Sequence, residues 1–203
     1  HPSGASDQVA RRKDFDREYY ERFYESDPVH TAQKVAQLAT AVQSMADWWD
    51  FPVDSVLDIG AGPGYWRDWY ATNRPAVRYV STDVSEHACA VYGHELRDIT
   101  QWRPREKFDL VVCHGVLHYL TAQQAEAAIE NLGAACRGLM YLEAPTAWDL
   151  DNIVDTETTD MNVTRRTGSW YRTRLNRHFV QIGAGLWASH SSGLPLYELE
   201  RAR

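Results

Sequence analysis

Apolar and polar positions alternate along this chain in two textures. From residue 55 onward, short runs that are almost wholly apolar (SVLDIG, VRYVSTD, FDLVVCHG, GLMYLEAP) are separated by longer stretches, GYWRDWYATN and TAQQAEAAIENLGAAC, in which apolar residues recur every three or four positions. The first texture predicts strands buried on both faces, and the second predicts amphipathic helices. Their alternation predicts an α/β domain with a doubly wound, mostly parallel sheet. Ahead of it, DFDREYYERFYES (14–26) mixes aromatics with charges at helical spacing until Asp27-Pro28. A second helix is expected from Thr31, a residue suited to N-capping, with Val35, Leu38, Val42, Met45, Trp48 and Trp49 on one stripe until Phe51-Pro52. After Pro145 the pattern turns polar and acidic (DLDNIVDTETTD), then predicts a helix around WYRTRLNRHF. Two adjacent strands, AGLWAS and LYELE joined at SSGLP, are expected to close the chain. The reading is an N-terminal helical extension or lid, 1–50, attached to a main domain, 51–203, in one structural unit.

Composition narrows the possibilities. A chain of 203 residues fits one core, and 44% apolar with 24% charged residues is the balance of a globular protein. The 21 basic and 28 acidic residues leave a formal charge of −7, which repels a polyphosphate backbone and argues against nucleic-acid binding. No apolar run approaches the roughly 18 residues of a membrane span and no basic-then-apolar leader is seen, so the expected location is the cytoplasm, with no membrane partner. Cys89, Cys113 and Cys136 lie far apart, without a C-x-x-C pair, and are expected to be reduced and mostly buried. The opening residues 1–6, which lack a methionine, read as a processing remnant outside the fold.

The most informative segment is VLDIGAGPG (56–64), placed after a buried strand and before a helix. Glycines there allow a tight turn and let backbone N–H groups approach a ligand at the helix N-terminus. Dinucleotide binding is a poor fit, because the third glycine of G-x-G-x-x-G falls on Tyr65, too large for close helix–strand packing. A P-loop is a poor fit too, since no lysine followed by Ser or Thr closes the run, and Asp58 puts negative charge where a pyrophosphate would sit. A cationic or zwitterionic ligand suits the loop better. Nineteen residues after Gly64, Asp83 ends the run VRYVSTD, where a carboxylate can accept two hydrogen bonds from a ribose diol. Asp98 ends the next short run.

Together these residues resemble the class I S-adenosylmethionine-dependent methyltransferases over about residues 55–141, and the terminal strand pair matches in kind. The resemblance implies a Rossmann-like, seven-stranded sheet and S-adenosyl-L-methionine as cofactor. It implies that Asp58, Gly60, Gly62 and Gly64 cradle the methionine and ribose, that Asp83, with Val84 beside it, holds the ribose hydroxyls, and that Asp98-Ile99 sits at the adenine edge. The segment FDLVVCHGVLHYL resembles the motif after the fourth strand, where the backbone near Cys113 and His114 meets the methionine end. Only 15 residues separate Asp83 from Asp98, so the helix between them is expected to be shortened, and Asp98 alternatively reads as a surface or capping acid.

A sulfonium methyl is already electrophilic, so the protein must align the reactants and exclude water, and a hydroxyl acceptor further needs a base or a metal. His118, shortly after the fourth strand, is the candidate catalytic base; its alternative is packing beside Tyr119. His114 reads as a positioning residue. The acids after the fifth strand (Glu143, Asp149, Asp151, Asp155, Glu157, Asp160) read either as a solvated loop or as oxygen ligands of the kind magnesium (Mg) takes. Substrate contacts are expected from Tyr20, Tyr24, Glu143, Trp148 and Trp170, the flat faces of the tryptophans suiting a sugar or another amphipathic molecule. The Tyr19-Tyr20 and Phe23-Tyr24 cluster reads as a lid, or as plain packing on the sheet. The expected activity is O-methylation of a small molecule, a carbohydrate or other polyhydroxy acceptor, with a faint resemblance to small sugar O-methyltransferases of the methylmannose-polysaccharide type. N- or carboxyl-methylation and a non-catalytic S-adenosylmethionine-binding module are the alternatives; monomer and homodimer both remain open.

Overall fold

A computed structural model of the chain describes residues 14–26 and 30–203. The expected stop at Asp27-Pro28 and the opening residues 1–6 lie outside the described residues. Strands β1 (Ser55–Ile59), β2 (Arg78–Asp83), β3 (Glu95–Leu96), β4 (Phe108–His114) and β5 (Cys136–Glu143) run parallel. The hairpin β6 (Phe179–Gly183) and β7 (Leu186–Ser189) completes one seven-stranded sheet in the order β3-β2-β1-β4-β5-β7-β6, with β7 antiparallel to both neighbours. Strand order reverses between β1 and β4, and in open α/β sheets a crevice forms outside the strand ends at such a point.

Period-2 alternation along the strands builds two cores. Leu57, Ile59, Val111, Cys113, Met140 and Leu142 face α5 (Ala122–Ala135) and α7 (Gly168–Leu175). On the opposite face, Val56, Leu110, Val112, Leu139 and Tyr141 pack against α2 (Ala32–Trp48) and α3 (Tyr65–Asn73). Leu110 is almost completely buried, so Leu110→Ala would cost about 2–5 kcal/mol. Helix α5 starts at a capping box of Thr121 and Gln124. The connection from β2 to β3 holds only the seven-residue α4 (Glu86–Tyr92), ended by Gly93 in the left-handed region, as the short spacing predicts. Among the described residues no helix is long and apolar enough to cross a membrane. Cys113 and Cys136 are buried, Cys89 is partly so, and all three are free thiols.

Three expectations need correction. Helix α2 is capped by Thr31 as expected and packs Val35, Leu38, Val42, Met45 and Trp49 on the core together with the fully buried Ala39 and Ala46, but Trp48 leaves the expected stripe and is 72% exposed. Residues 14–26 are not one α-helix: α1 (Arg17–Tyr20) passes into a π-helical stretch, Glu21–Ser26. The closing hairpin uses FVQIG and LWAS rather than AGLWAS and LYELE. Ala184 and Gly185 adopt φ of 51° and 83°, which a two-residue turn between twisted strands requires. Past Pro195, which has no N–H for a ladder, LYELE instead holds a 3₁₀ turn, Glu198–Glu200, with Leu199 94% exposed.

Candidate active site

A cleft opens at the C-terminal ends of β1 and β4 in two lobes that share Gly60, Gly62, His114 and Tyr119. Gly60 has φ of 66°, and a Cβ there would lie 2.5 Å from Val116 Cγ2, so only glycine fits. At Gly62, φ 56°, a Cβ would meet nothing closer than Tyr24 Oη at 3.7 Å; the space beside it is open cleft. Backbone bonds fix the turn: Ala61 N–H donates to Thr82 O (2.9 Å) and Gly62 N–H to Asp83 Oδ2 (2.9 Å). Ser85 N–H donates to Asp83 Oδ1 (2.9 Å), and each carboxylate oxygen keeps a further lone pair. Gly64, also in the left-handed region, starts α3 without lining either lobe.

His94, which the sequence reading did not single out, braces this turn from behind. Its Nε2 lies 2.7 Å from Gly62 O, which can only accept, so Nε2 carries the proton and Nδ1 accepts from Ser81 Oγ (2.8 Å). Burial lowers the pKa of His94 and favours this neutral form. The rest of this lobe holds Asp83, Val84, Asp98 and Ile99, together with Arg97 and Tyr20. Asp98 Oδ1 accepts from Thr100 N–H (3.0 Å) and Oγ1 (2.7 Å), which fixes its turn. Cys113, expected beside His114 at the methionine end, lines neither lobe and is buried in the α5-side core.

The second lobe is built from side chains. Asp58, His114 and Glu143 lie near the C-terminal ends of three neighbouring strands on the α2–α3 face, where the alternation turns polar: Asp58 is level with Val112 and Tyr141, and His114 and Glu143 follow one same-face position further along. Register makes His114 and Glu143 direct partners, and Gly115 N–H donates to Glu143 O (2.9 Å). Asp58 is 2% exposed and accepts from Tyr79 Oη (2.7 Å); burial pushes its pKa up to about 7 although the tyrosine bond opposes this. Trp66 Nε1–H donates to His114 Nδ1 (3.1 Å), so the His114 proton sits on Nε2, which faces Glu143 Oε2 at 3.1 Å. Glu143 Oε1 lies 3.4 Å from His30 Nε2. Burial opposes the charge of Glu143, yet bonds from His114 and His30 outweigh it and hold the carboxyl well below the usual range.

His30, His114 and Glu143 each place one ligating atom within 4.8 Å of the others, the spacing of a metal site. The donor set does not fit a cation. An imidazole that accepts at Nδ1 keeps its proton on Nε2 and has no lone pair there to give. Of the acids expected to hold magnesium, Glu143 and Asp160 line this lobe, whereas Asp149 closes the capping box of α6 (Ala147–Asn152), Asp151 pairs with Arg165 and Asp155 accepts from the Glu157 N–H.

His118 lines the second lobe from a 3₁₀ turn, Leu117–Tyr119, that the buried Arg166 holds through Leu117 O, Leu120 O and Tyr171 Oη. It is 6% exposed, with its ring 4.3 Å from that of Tyr119. Tyr24 borders both lobes, whereas Tyr20 lines only the first. Trp148 and Trp170 line neither: Trp148 is 61% exposed on α6, and Trp170 is packed between Arg166 and Arg174.

Residues 57–138 match a family described as a methyltransferase domain. No curated protein matches the sequence. Among solved structures, the plantazolicin methyltransferase BpumL in complex with S-adenosylhomocysteine is 16% identical over 72% of this chain and 63% of its own, with a TM-score of 0.58; the chain thus spans less than two thirds of that protein. The N-methyltransferase NodS from Bradyrhizobium japonicum WM9, in complex with S-adenosylhomocysteine, is 17% identical over 85% of this chain and 97% of its own (TM-score 0.60). The magnesium protoporphyrin IX methyltransferase ChlM from Synechocystis PCC 6803, with bound S-adenosylmethionine, is 17% identical over 85% and 89% (TM-score 0.53). The fold is the Rossmann-like methyltransferase fold.

Proposed function

We propose that the chain is an S-adenosylmethionine-dependent methyltransferase whose acceptor is a hydroxyl on a small polyhydroxy molecule, a sugar by preference, and that it works in the cytoplasm. The observation that carries this reading is the two-lobed cleft, in which a glycine turn with Asp83 adjoins, across Gly60 and His114, a lobe of imidazoles and carboxylates. S-adenosylmethionine supplies an electrophilic methyl on a sulfonium. Asp83 accepts from the ribose hydroxyls, Asp98 and Ile99 border the adenine, and Asp58 ionises against the methionine ammonium. The rings of Tyr19, Tyr24 and Tyr119 exclude water from the junction of the lobes. A histidine on the second lobe, His118 in the sequence reading, takes the acceptor proton.

The described lining of that lobe includes Asp58, Glu143 and Asp160 but neither lysine nor arginine, which favours a neutral acceptor or an ammonium over a carboxylate or a phosphate. This supports N-methylation as the second reading. Calorimetry with S-adenosylhomocysteine, followed by mass-spectrometric product detection over matched panels of glycosides, amines and acids, tests both. Methylated glycosides are expected. Products from amines alone would select the second reading, and cofactor binding without any product would leave a binding module.

A further inference from the structure

We propose that His30, oriented by Glu143, is the general base that removes the acceptor's proton. The inference rests on the methyl-transfer reading and names the proton acceptor of that same site.

Three imidazoles border the second lobe, and their surroundings differ. His114 uses its one lone pair to accept the Trp66 N–H at Nδ1, which leaves the proton on Nε2, 3.1 Å from Glu143 Oε2, so it has no lone pair for a substrate proton. That contact leaves Glu143 Oε1 to His30 Nε2 at 3.4 Å. A carboxylate can only accept, so Nε2 is the protonated nitrogen of His30 and Nδ1 keeps the lone pair. A carboxylate that fixes one imidazole tautomer and then steadies the imidazolium is the arrangement general-base catalysis needs. His30 keeps 41% of its side chain exposed, open to an incoming molecule, whereas His118 is almost enclosed. His30 directly precedes Thr31, the N-cap of α2, so a well-packed helix anchors its backbone.

The charged and titratable groups around His30 are Lys34 one turn along α2, Glu143 on β5 and His114 on β4, with Asp58 of β1 and Asp160 across the lobe. The bond from Glu143 raises the pKa of His30 above its ordinary value, while burial and Lys34 oppose this. The step balances without any other reactant. The acceptor O–H gives its proton to His30 Nδ1, the oxygen–carbon bond forms, and the carbon–sulfur bond breaks with its electron pair returning to sulfur as a neutral thioether. The proton then leaves His30 for solvent.

Nitrogen-15 NMR of the S-adenosylhomocysteine-loaded protein, followed across pH, reads this directly. The expected result is a His30 protonated on Nε2, titrating at higher pH than in Glu143→Gln; an Nδ1–H tautomer, or the same midpoint in both proteins, overturns the proposal. Turnover of a methyl glycoside is the second readout. His30→Ala should lower kcat by about 10²–10⁴-fold with S-adenosylmethionine affinity unchanged, should lose the acidic limb of the rate profile, and should recover partly with added imidazole. Near-normal turnover in His30→Ala beside a collapse in His118→Ala would transfer the role to His118. If the wild type methylates no acceptor, the methyl-transfer reading fails, and the NMR result still decides whether His30 is held as a base.

Discussion

Around Gly62 the bonds that shape the cleft involve the backbone, Gly62 N–H to Asp83, Ala61 N–H to Thr82 and Gly62 O to His94, whereas around Glu143 they run from side chain to side chain through Trp66, His114 and His30. The first lobe is therefore specified by conformation. Its key positions are those where a side chain cannot stand. The second is specified by chemistry, since its residues occupy ordinary strand and helix positions and matter for the protons they carry. A substitution in the first lobe should act on cofactor binding and stability together, and one in the second on turnover with the fold intact.

The sharpest break of this contrast is Gly60→Val. Overpacking against Val116 costs about 1–3 kcal/mol, and the left-handed backbone adds about 1–2 kcal/mol for a β-branched residue. Cofactor binding by calorimetry should be lost and Tm should fall; normal binding would mean that the turn does not touch the ligand. Asp83→Asn comes next. It replaces a charged acceptor of two buried N–H groups, so S-adenosylmethionine affinity should weaken by about 1–3 kcal/mol with a lower Tm, while KM for the acceptor stays constant.

Asp58 joins the two lobes through pH. Its folded pKa, about 7, lies above the usual carboxylate value, so the free protein loses stability as pH rises from about 4 toward 7. An ammonium ligand selects the ionised form. Affinity should then rise about tenfold per pH unit below 7, with proton release visible as buffer-dependent calorimetric heat. In Asp58→Asn both effects should disappear, and a flat pH profile in the wild type would detach Asp58 from the ligand. The smallest expected effect is none: with Nε2 of His114 protonated, excess chelator should leave turnover unchanged, and a loss of rate would restore the metal reading.

The first lobe was readable in the chain because each of its demands leaves a local mark. Three glycines at fixed offsets, a carboxylate ending a strand and a short run ending in Asp98 are visible without knowing any contact. The second lobe left only faint marks. V-x-H and Y-x-E are ordinary strand endings until register sets His114 beside Glu143, V-x-D gains its meaning only from the neighbouring strand, and His30 meets Glu143 across 113 positions. Aromatic residues were the least informative. The same indole serves as a hydrogen-bond donor to His114 in Trp66, as a platform for Arg174 in Trp170, and as exposed surface in Trp148. The closing hairpin was misplaced because the turn lies in the unobtrusive Ala184-Gly185 pair while SSGLP carries the louder turn residues.

The aromatic segment 14–26 touches the body through the Ser85 hydroxyl at Phe15 O and the Tyr19–Tyr119 hydroxyl pair. Phe15 and Tyr20 border only the first lobe, Phe23 only the second, and Tyr24 borders both. On the proposed reading, the segment that borders the donor lobe is thus also one wall of the acceptor lobe. In kinetic terms this favours a compulsory sequence of arrivals, with the donor seated first, the acceptor admitted once the wall stands, and the departures running in reverse.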